Sequence, residues 1–332
     1  MKQLSMRKRL PLIGLFLSLI LTLSLIVGCR SEPAPTSGLS GKLPIFHAGS
    51  LSMPLAQIDE GFNQLYPDVE ILTEGAGSAT AIRKVTELHK DCGVIASADY
   101  TLIPQLMFPE YADWYVIFAA NQMCIAYTDQ AQFGDEINGD NWYEILQRNG
   151  VRYGRSDPDQ DPCGYRTLMV WQLAEAYYHS PGLYHKLYEA KNQIIRPKEV
   201  DLIALLESGD LDYAFEYSSV AAQHGLNYVV LPPRINLASE EFRDFYATAE
   251  VEIAGKEPGT TITKKGKPIV YGVTIPSHFP DQELAVAWVD FLLSSEGMTI
   301  MEANGQPPVI PAVTNDKGKL PQELRKYVIE VD

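Results

Sequence analysis

LPIFHAGSLSMPLAQIDEGFNQLYPDVEILTEGAGSATAIRKV, residues 43–85, is the stretch from which the architecture can be read. Leu43 to His47 is a short apolar run that breaks at Ala48-Gly49-Ser50, a strand running into a tight turn. From Met53 to Tyr66 the apolar spacing becomes helical, with Leu55, Ile58, Phe62 and Leu65 on one face, and Pro67 stops it. Val69 to Leu72 is a second strand, closed by Glu74-Gly75-Ala76-Gly77-Ser78. A helix from about Ala79 then carries Ala81, Ile82, Val85 and Leu88 on one stripe, and Val94 to Ala96 is a third strand ending at Asp99. Strand, Gly/Ser turn, helix, strand is the rhythm of an open α/β sheet.

The rest of the chain keeps this rhythm. Trp114–Ala119 and Met123–Tyr127 read as strands and Trp142–Gln147 as a short helix. A polar loop over 156–162 precedes a long helix from about Gly164 to Tyr178, with Leu168, Trp171, Leu173 and Ala174 as its core positions. Val200–Ser208 reads as a helix closed by Gly209, and Tyr213–Tyr217 as a strand feeding a short helix at Ser218. Strands at Tyr228–Leu231 and Ile269–Ile275 and helices at Leu284–Leu293 and Glu296–Asn304 follow. Similar elements lie early and late around a distinct middle segment. That predicts two α/β lobes, the middle one inserted into the first, with a cleft between them.

The 332 residues carry 27 Lys+Arg against 42 Asp+Glu, a net charge of −15. With 46% hydrophobic and 21% charged residues the composition is globular, which excludes a disordered or collagen-like chain and a polytopic membrane protein. No basic stripe is present, so nucleic acid is excluded as a partner. Lys2, Arg7, Lys8 and Arg9 precede the apolar run Leu10–Val27, the pattern of an export signal or of a single short membrane span. Ile26-Val27-Gly28-Cys29 looks like a bacterial lipobox, in which Cys29 is acylated and becomes the new N-terminus. The expected organisation is a signal peptide over 1–28 and a lipid-anchored tether over 29–42, with lobe 1 over 43–128 and 231–332 and lobe 2 over 129–230. Removing the signal would take the net charge from −15 to −19. Cys92, Cys124 and Cys163 remain, an odd number that leaves at least one thiol free or bonded to another molecule; Cys92 with Cys124 is one possible pair.

Ser50, Ser78, Asp161 and Glu216 each stand where a strand end meets a helix start, the edge at which open α/β sheets bind ligands. Helix N-termini offer free N–H donors and partial positive charge. Several facing one cleft would hold an anion without Lys or Arg. Each Ser, and Asp161, equally fits an ordinary N-cap worth ~1 kcal/mol. Glu216 lies inside the apolar strand 213–217, where a carboxylate either faces solvent or needs a partner. His47 fits a structural role beside the first turn.

Phe46-His47-Ala48-Gly49-Ser50-Leu51, Ala76-Gly77-Ser78, Ala96-Ser97-Ala98-Asp99-Tyr100, Asp161-Pro162-Cys163-Gly164-Tyr165-Arg166, Phe215-Glu216-Tyr217, the 266–272 block and Asn304-Gly305-Gln306-Pro307-Pro308 occur in an order that resembles one family, over about 43–313. These are the archaeal-type tungstate/molybdate substrate-binding proteins of ABC importers. The resemblance implies a two-lobed type II periplasmic-binding-protein fold, each lobe an open α/β sheet, with the ligand in the interlobe cleft. It implies no enzyme activity and no cofactor, an ABC-transporter permease with its ATPase as partner, and a monomer lipid-anchored outside the cytoplasm. It further implies a tungstate or molybdate ion made six-coordinate by Asp161 and Glu216. Ser50 and Ser78, the backbone N–H groups near Cys163 and Gly164, and Tyr217 would bond the oxo groups. Asp91-Cys92-Gly93 departs from the family pattern, and the stretch 192–200 is short. The competing expectations are a sulfate-like binder, an extracytoplasmic hydrolase using Asp161 and Glu216 or Cys163, and a Ca²⁺ site including Asp99.

Overall fold

The computed structural model describes residues 38–330; the signal, the lipobox Cys29 and most of the tether lie outside them. β1 (Gly41–Ala48) ends in a 3-10 turn, Gly49–Leu51, that runs into α1 (Ser52–Leu65). β2 (Val69–Ala76) leads to α2 (Ser78–Thr86), β3 (Val94–Ser97), α3 (Leu102–Met107) and β4 (Val116–Asn121). β5 (Met123–Tyr127) follows after one residue, then α4 (Trp142–Ile145), β6 (Tyr153–Ser156), α5 (Pro162–Tyr177), α6 (Leu183–Tyr188) and β7 (Gln193–Arg196). A 3-10 turn at Glu199–Leu202 opens into α7 (Ile203–Glu207), then β8 (Tyr213–Tyr217), α8 (Ser218–Gln223) and β9 (Asn227–Val230). The last third holds α9 (Arg243–Tyr246), a hairpin of β10 (Glu250–Ala254) and β11 (Thr261–Lys265), β12 (Ile269–Thr274), α10 (Gln282–Leu293), α11 (Ser295–Ala303), β13 (Pro308–Thr314) and β14 (Val328–Glu330).

The strands form a seven-stranded sheet, β14-β13-β4-β12-β3-β1-β2, and a five-stranded sheet, β7-β6-β8-β5-β9. β1 pairs in parallel with β2 on one side and β3 on the other. The chain thus reverses direction across β1, and right-handed crossovers place α1 and α2 on opposite faces. The end of β1 is a topological switch point, where open sheets leave a crevice. α1 packs on α10 through Phe62 against Phe291, with Trp288 donating to Asp59 at 2.9 Å.

The chain leaves the larger sheet after Asn121 and enters the smaller one at Met123. β5 pairs with β8 and β9, so the crossing falls at Gln122, ahead of the boundary expected at 128. The return path runs beside it: Met123 N–H donates to Asn236 O (2.9 Å) and Ile269 N–H to Leu237 O (2.8 Å). α5 is buried from Pro162 through Trp171, because the smaller sheet covers one side and the β10–β11 hairpin the other. Gln172 on its outer side exchanges hydrogen bonds with the backbone of Glu250. The helix expected to carry Leu88 on its apolar stripe ends at Thr86, and Leu88 is exposed rather than core. Cys92, Cys124 and Cys163 are buried free thiols, so Cys92 and Cys124 are not joined.

Candidate functional site

Ser50 sits in the turn after β1, and Ser78 begins α2 after β2. Asp161 caps α5, Glu216 and Tyr217 end β8, and Cys163 and Gly164 lie in the first turn of α5. All seven are buried, with Glu216 and Tyr217 wholly so. The cleft between the lobes is shut over them. Ala79 and Thr80 N–H at the start of α2 donate across it to Gln160 O, at 3.2 and 3.3 Å. Gly77 makes this approach possible, since a Cβ there would lie 2.3 Å from Gln160 O. Tyr165 on α5 donates to Asp99 Oδ2 at the end of β3 (2.7 Å).

Asp161 is the helix cap that its position predicts and also part of the cleft. Its Oδ1 accepts from Cys163 N–H (3.3 Å) and its Oδ2 from Glu199 N–H (3.0 Å). Gly164 N–H donates to Asp161 O (3.0 Å). The two N–H groups expected to face an oxyanion are therefore engaged with Asp161. Gly164 is required for packing, because a Cβ would lie 2.5 Å from Ser156 O.

Glu199, in the turn after β7, joins the site and was not singled out from the sequence. Its carboxylate reaches across to Gly49, where an added Cβ would stand 3.0 Å from both oxygens. Both oxygens of Glu199 and both of Glu216 are buried without a hydrogen-bond partner. Burial raises all three carboxyls above their ordinary range, despite the hydrogen bonds Asp161 accepts, and charge repulsion from Asp161 raises Glu199 and Glu216 further. Such a cluster is costly unless something meets it.

The hydroxyls around these carboxylates are each approached from behind by a donor. Ser78 Oγ accepts from Ala98 N–H (3.0 Å). Asn121 Nδ2 donates to Tyr271 Oη (2.8 Å), which donates to Ser50 Oγ (3.0 Å). Arg166 Nη1 donates to Tyr217 Oη (2.7 Å). A hydroxyl has one proton, so each of the three is left to donate forward. The site therefore presents donors together with unpaired carboxylate oxygens. That combination suits a ligand whose periphery only accepts hydrogen bonds and whose centre accepts oxygen ligands.

Other chemistry fits less well. Burial raises the Cys163 thiol far above its ordinary range, and its contact is Phe215 O (3.5 Å) rather than a histidine, so it is no activated nucleophile. His47 Nδ1 contacts Ala48 O (2.8 Å), a structural role. Among the described residues no trio of His, Cys, Asp or Glu is arranged to hold a metal cation. Asp99 instead pairs with Lys264 at 2.6 Å. Burial would raise its carboxyl, but Lys264, Lys267 and Arg166 hold it well below the usual range. A 690 Å³ groove lined by Arg83, Tyr111 and Lys256 is formed by none of the cleft residues.

The chain is 52% identical over 293 residues to an uncharacterized solute-binding protein of Petrotoga mobilis, covering 87% of this chain and 91% of that one. It is 42% identical over 347 residues to the molybdate/tungstate-binding protein WtpA of Thermococcus kodakarensis, covering 95% and 96%. In fold it resembles the periplasmic molybdate-binding protein of Azotobacter vinelandii, with TM-score 0.58, 15% identity and coverage of 80% and 98%. The sulfate-binding protein SubI of Mycobacterium tuberculosis aligns with TM-score 0.57, 11% identity and coverage of 81% and 87%. Residues 43–306 match the family described as bacterial extracellular solute-binding protein, and the chain belongs to that family.

Proposed function

We propose that this protein captures tungstate or molybdate outside the cytoplasm and delivers it to the permease of an ABC importer. The observation that carries the reading is the pair Asp161 and Glu216, buried among three forward-donating hydroxyls, with both Glu216 oxygens unpartnered. Asp161 and Glu216 add two oxygens to the metal centre, making the tetrahedral ion six-coordinate. Ser50, Ser78 and Tyr217 donate to its oxo groups. Identity of 42% to a relative named for molybdate and tungstate supports the choice of ligand.

Charge makes the site selective. A carboxylate repels a free anion by ~4 kcal/mol per unit-charge pair at 4 Å and an effective dielectric constant of 20. An ion that cannot bond to the carboxylates keeps that repulsion. Sulfur and phosphorus do not readily add two oxygen ligands, whereas Mo(VI) and W(VI) are large, hard centres that do. Sulfate and phosphate are rejected by the groups that hold tungstate. The lobes close on the ligand, and the closed form is what the permease reads. Cys29 carries the lipid that keeps the protein, as a monomer, at the membrane surface.

Calorimetric titration of the full-length chain in detergent with tungstate, molybdate and sulfate tests this. Tight binding of the first two and no heat with sulfate is expected. Comparable sulfate binding would mean a plain tetrahedral oxyanion pocket.

A further inference from the structure

We infer that Arg166 is a positioning residue for the oxyanion: its guanidinium fixes the Tyr217 phenol as a hydrogen-bond donor aimed at the ligand. The inference rests on the functional reading above and deepens it. Arg166 is buried on α5, and its Nη1 lies 2.7 Å from Tyr217 Oη. A guanidinium only donates, so Tyr217 Oη accepts, and its single proton is directed elsewhere. Among the described residues no group accepts that proton. The larger lobe shows what such wiring does: Asn121 donates to Tyr271, and Tyr271 passes its own proton forward to Ser50. The two phenol rings stand 6.3 Å apart, centroid to centroid, so the cleft carries two tyrosines each backed by a donor.

Arg166 forms no ion pair within 4.0 Å among the described residues; it lies between the rings of Tyr165 and Tyr217, at 5.9 and 5.7 Å from their centroids. A buried, unpaired guanidinium is costly in isolation. Here it is the fifth residue of α5, next to Tyr165. Its charge is met by nearby Asp99, which it helps to hold ionised, and its hydrogen bond goes to Tyr217. Lysine would not reproduce the planar fork that sets the geometry.

A double-mutant cycle read by calorimetry on the full-length chain in detergent, with tungstate as the probe, tests the role. Tyr217→Phe removes only the hydroxyl, and Arg166→Met removes the guanidinium. Each single change is expected to weaken binding about 10- to 100-fold, the range for one charge-assisted hydrogen bond. The double variant is expected to lose no more than about 3-fold beyond the weaker single variant, because the hydroxyl through which Arg166 acts is already gone. Losses that multiply would make Arg166 a packing residue and overturn the inference, as would native affinity in Tyr217→Phe. If Arg166→Met does not fold, Arg166→Lys carries the same cycle. It is expected to weaken binding in the native background and to change it less than about 2-fold in Tyr217→Phe. A native chain that binds neither tungstate nor molybdate fails before the cycle begins. That outcome overturns the ligand assignment itself, and this inference with it.

Discussion

Glu216 keeps two oxygens out of water with nothing to meet them, so its carboxylate is held against its own solvation. Glu216→Gln preserves the shape and removes the charge. We expect tungstate affinity to fall at least about 100-fold, because an amide is a poor ligand for a hard centre. We also expect the ligand-free Tm to rise by a few degrees, about 1–2 kcal/mol for a chain of this size. An affinity within a few-fold of native in the titration would show that Glu216 is not a ligand. This residue was legible in the sequence because a charge inside Tyr213-Ala214-Phe215-Glu216-Tyr217 contradicts its neighbours. Glu199 was not. It lies in the polar run Arg196-Pro197-Lys198-Glu199, which reads as a solvated loop, and only the packing of that turn against Gly49 buries it. The engaged N–H groups of Cys163 and Gly164 were likewise invisible, since one cap geometry offers them to a ligand and another to Asp161.

At the scale of elements, the contact between the start of α2 and the loop before α5 decides whether the lobes meet. Gly77→Ala would place a methyl group 2.3 Å from Gln160 O, across the cleft and away from either core. We expect each lobe to fold as before, with the ligand-free Tm within about 2 °C of native. Tungstate affinity should drop about 10-fold or more, and small-angle scattering should show less compaction with ligand than native. Native compaction in the variant would show that this contact does not limit closure. α1, α2 and α5 were readable from apolar spacing and turn residues, because each buries one stripe or a long run. The β10–β11 hairpin was not readable. Strand alternation there puts Lys264 at an inward position, and a lysine defeats the apolar pattern. It is stable inside because Asp99, Thr101 and Gln105 receive its ammonium at 2.6, 2.5 and 3.0 Å. No local signal in 261–265 announces a partner more than 150 residues away in the chain.

The molecule as a whole carries acids whose protons are bound more tightly in the folded state than in the unfolded one. Burial raises Asp161, Glu199 and Glu216, and burial also lifts Asp59 to about 6 despite its bond from Trp288. For a raised acid, the unfolded chain ionises first and the folded chain keeps its proton. These four acids therefore destabilise the ligand-free protein most above their folded-state values and less as pH falls toward the unfolded values near 4, while buried His47, whose value burial lowers, opposes them below its ordinary 6.5. Melting curves from pH 8 to pH 5 should show Tm rising, with Asp59→Asn raising Tm by a few degrees at pH 8 and by about half as much at pH 5. If Asp161 and Glu216 are the ligands proposed, the shift produced by tungstate should move the opposite way, shrinking as pH falls, because a carboxyl coordinates a metal centre only when ionised. A flat Tm over that range would contradict the assignment of these carboxyls. The two-lobed plan was visible in the sequence as like elements flanking a different middle. The exact crossing was not, because β4 and β5 form one apolar stretch broken only by Asn121-Gln122.

The strand order of the larger sheet has a bearing on the protein's birth. β12 lies between β3 and β4, and these two meet only through it. During synthesis, residues 123–230 emerge as an unbroken segment that contains every strand of the smaller sheet. Before Ile269–Thr274 arrives the larger sheet has only the β1–β2–β3 unit and the single strand β4; β12 joins them, and β13 and β14 follow later in the chain. Long-range pairing of this kind is slow and leaves sheet edges open to other chains. The smaller sheet therefore has all its strands before the larger one does, and until β12 arrives the edges of β3 and β4 that it covers stand open.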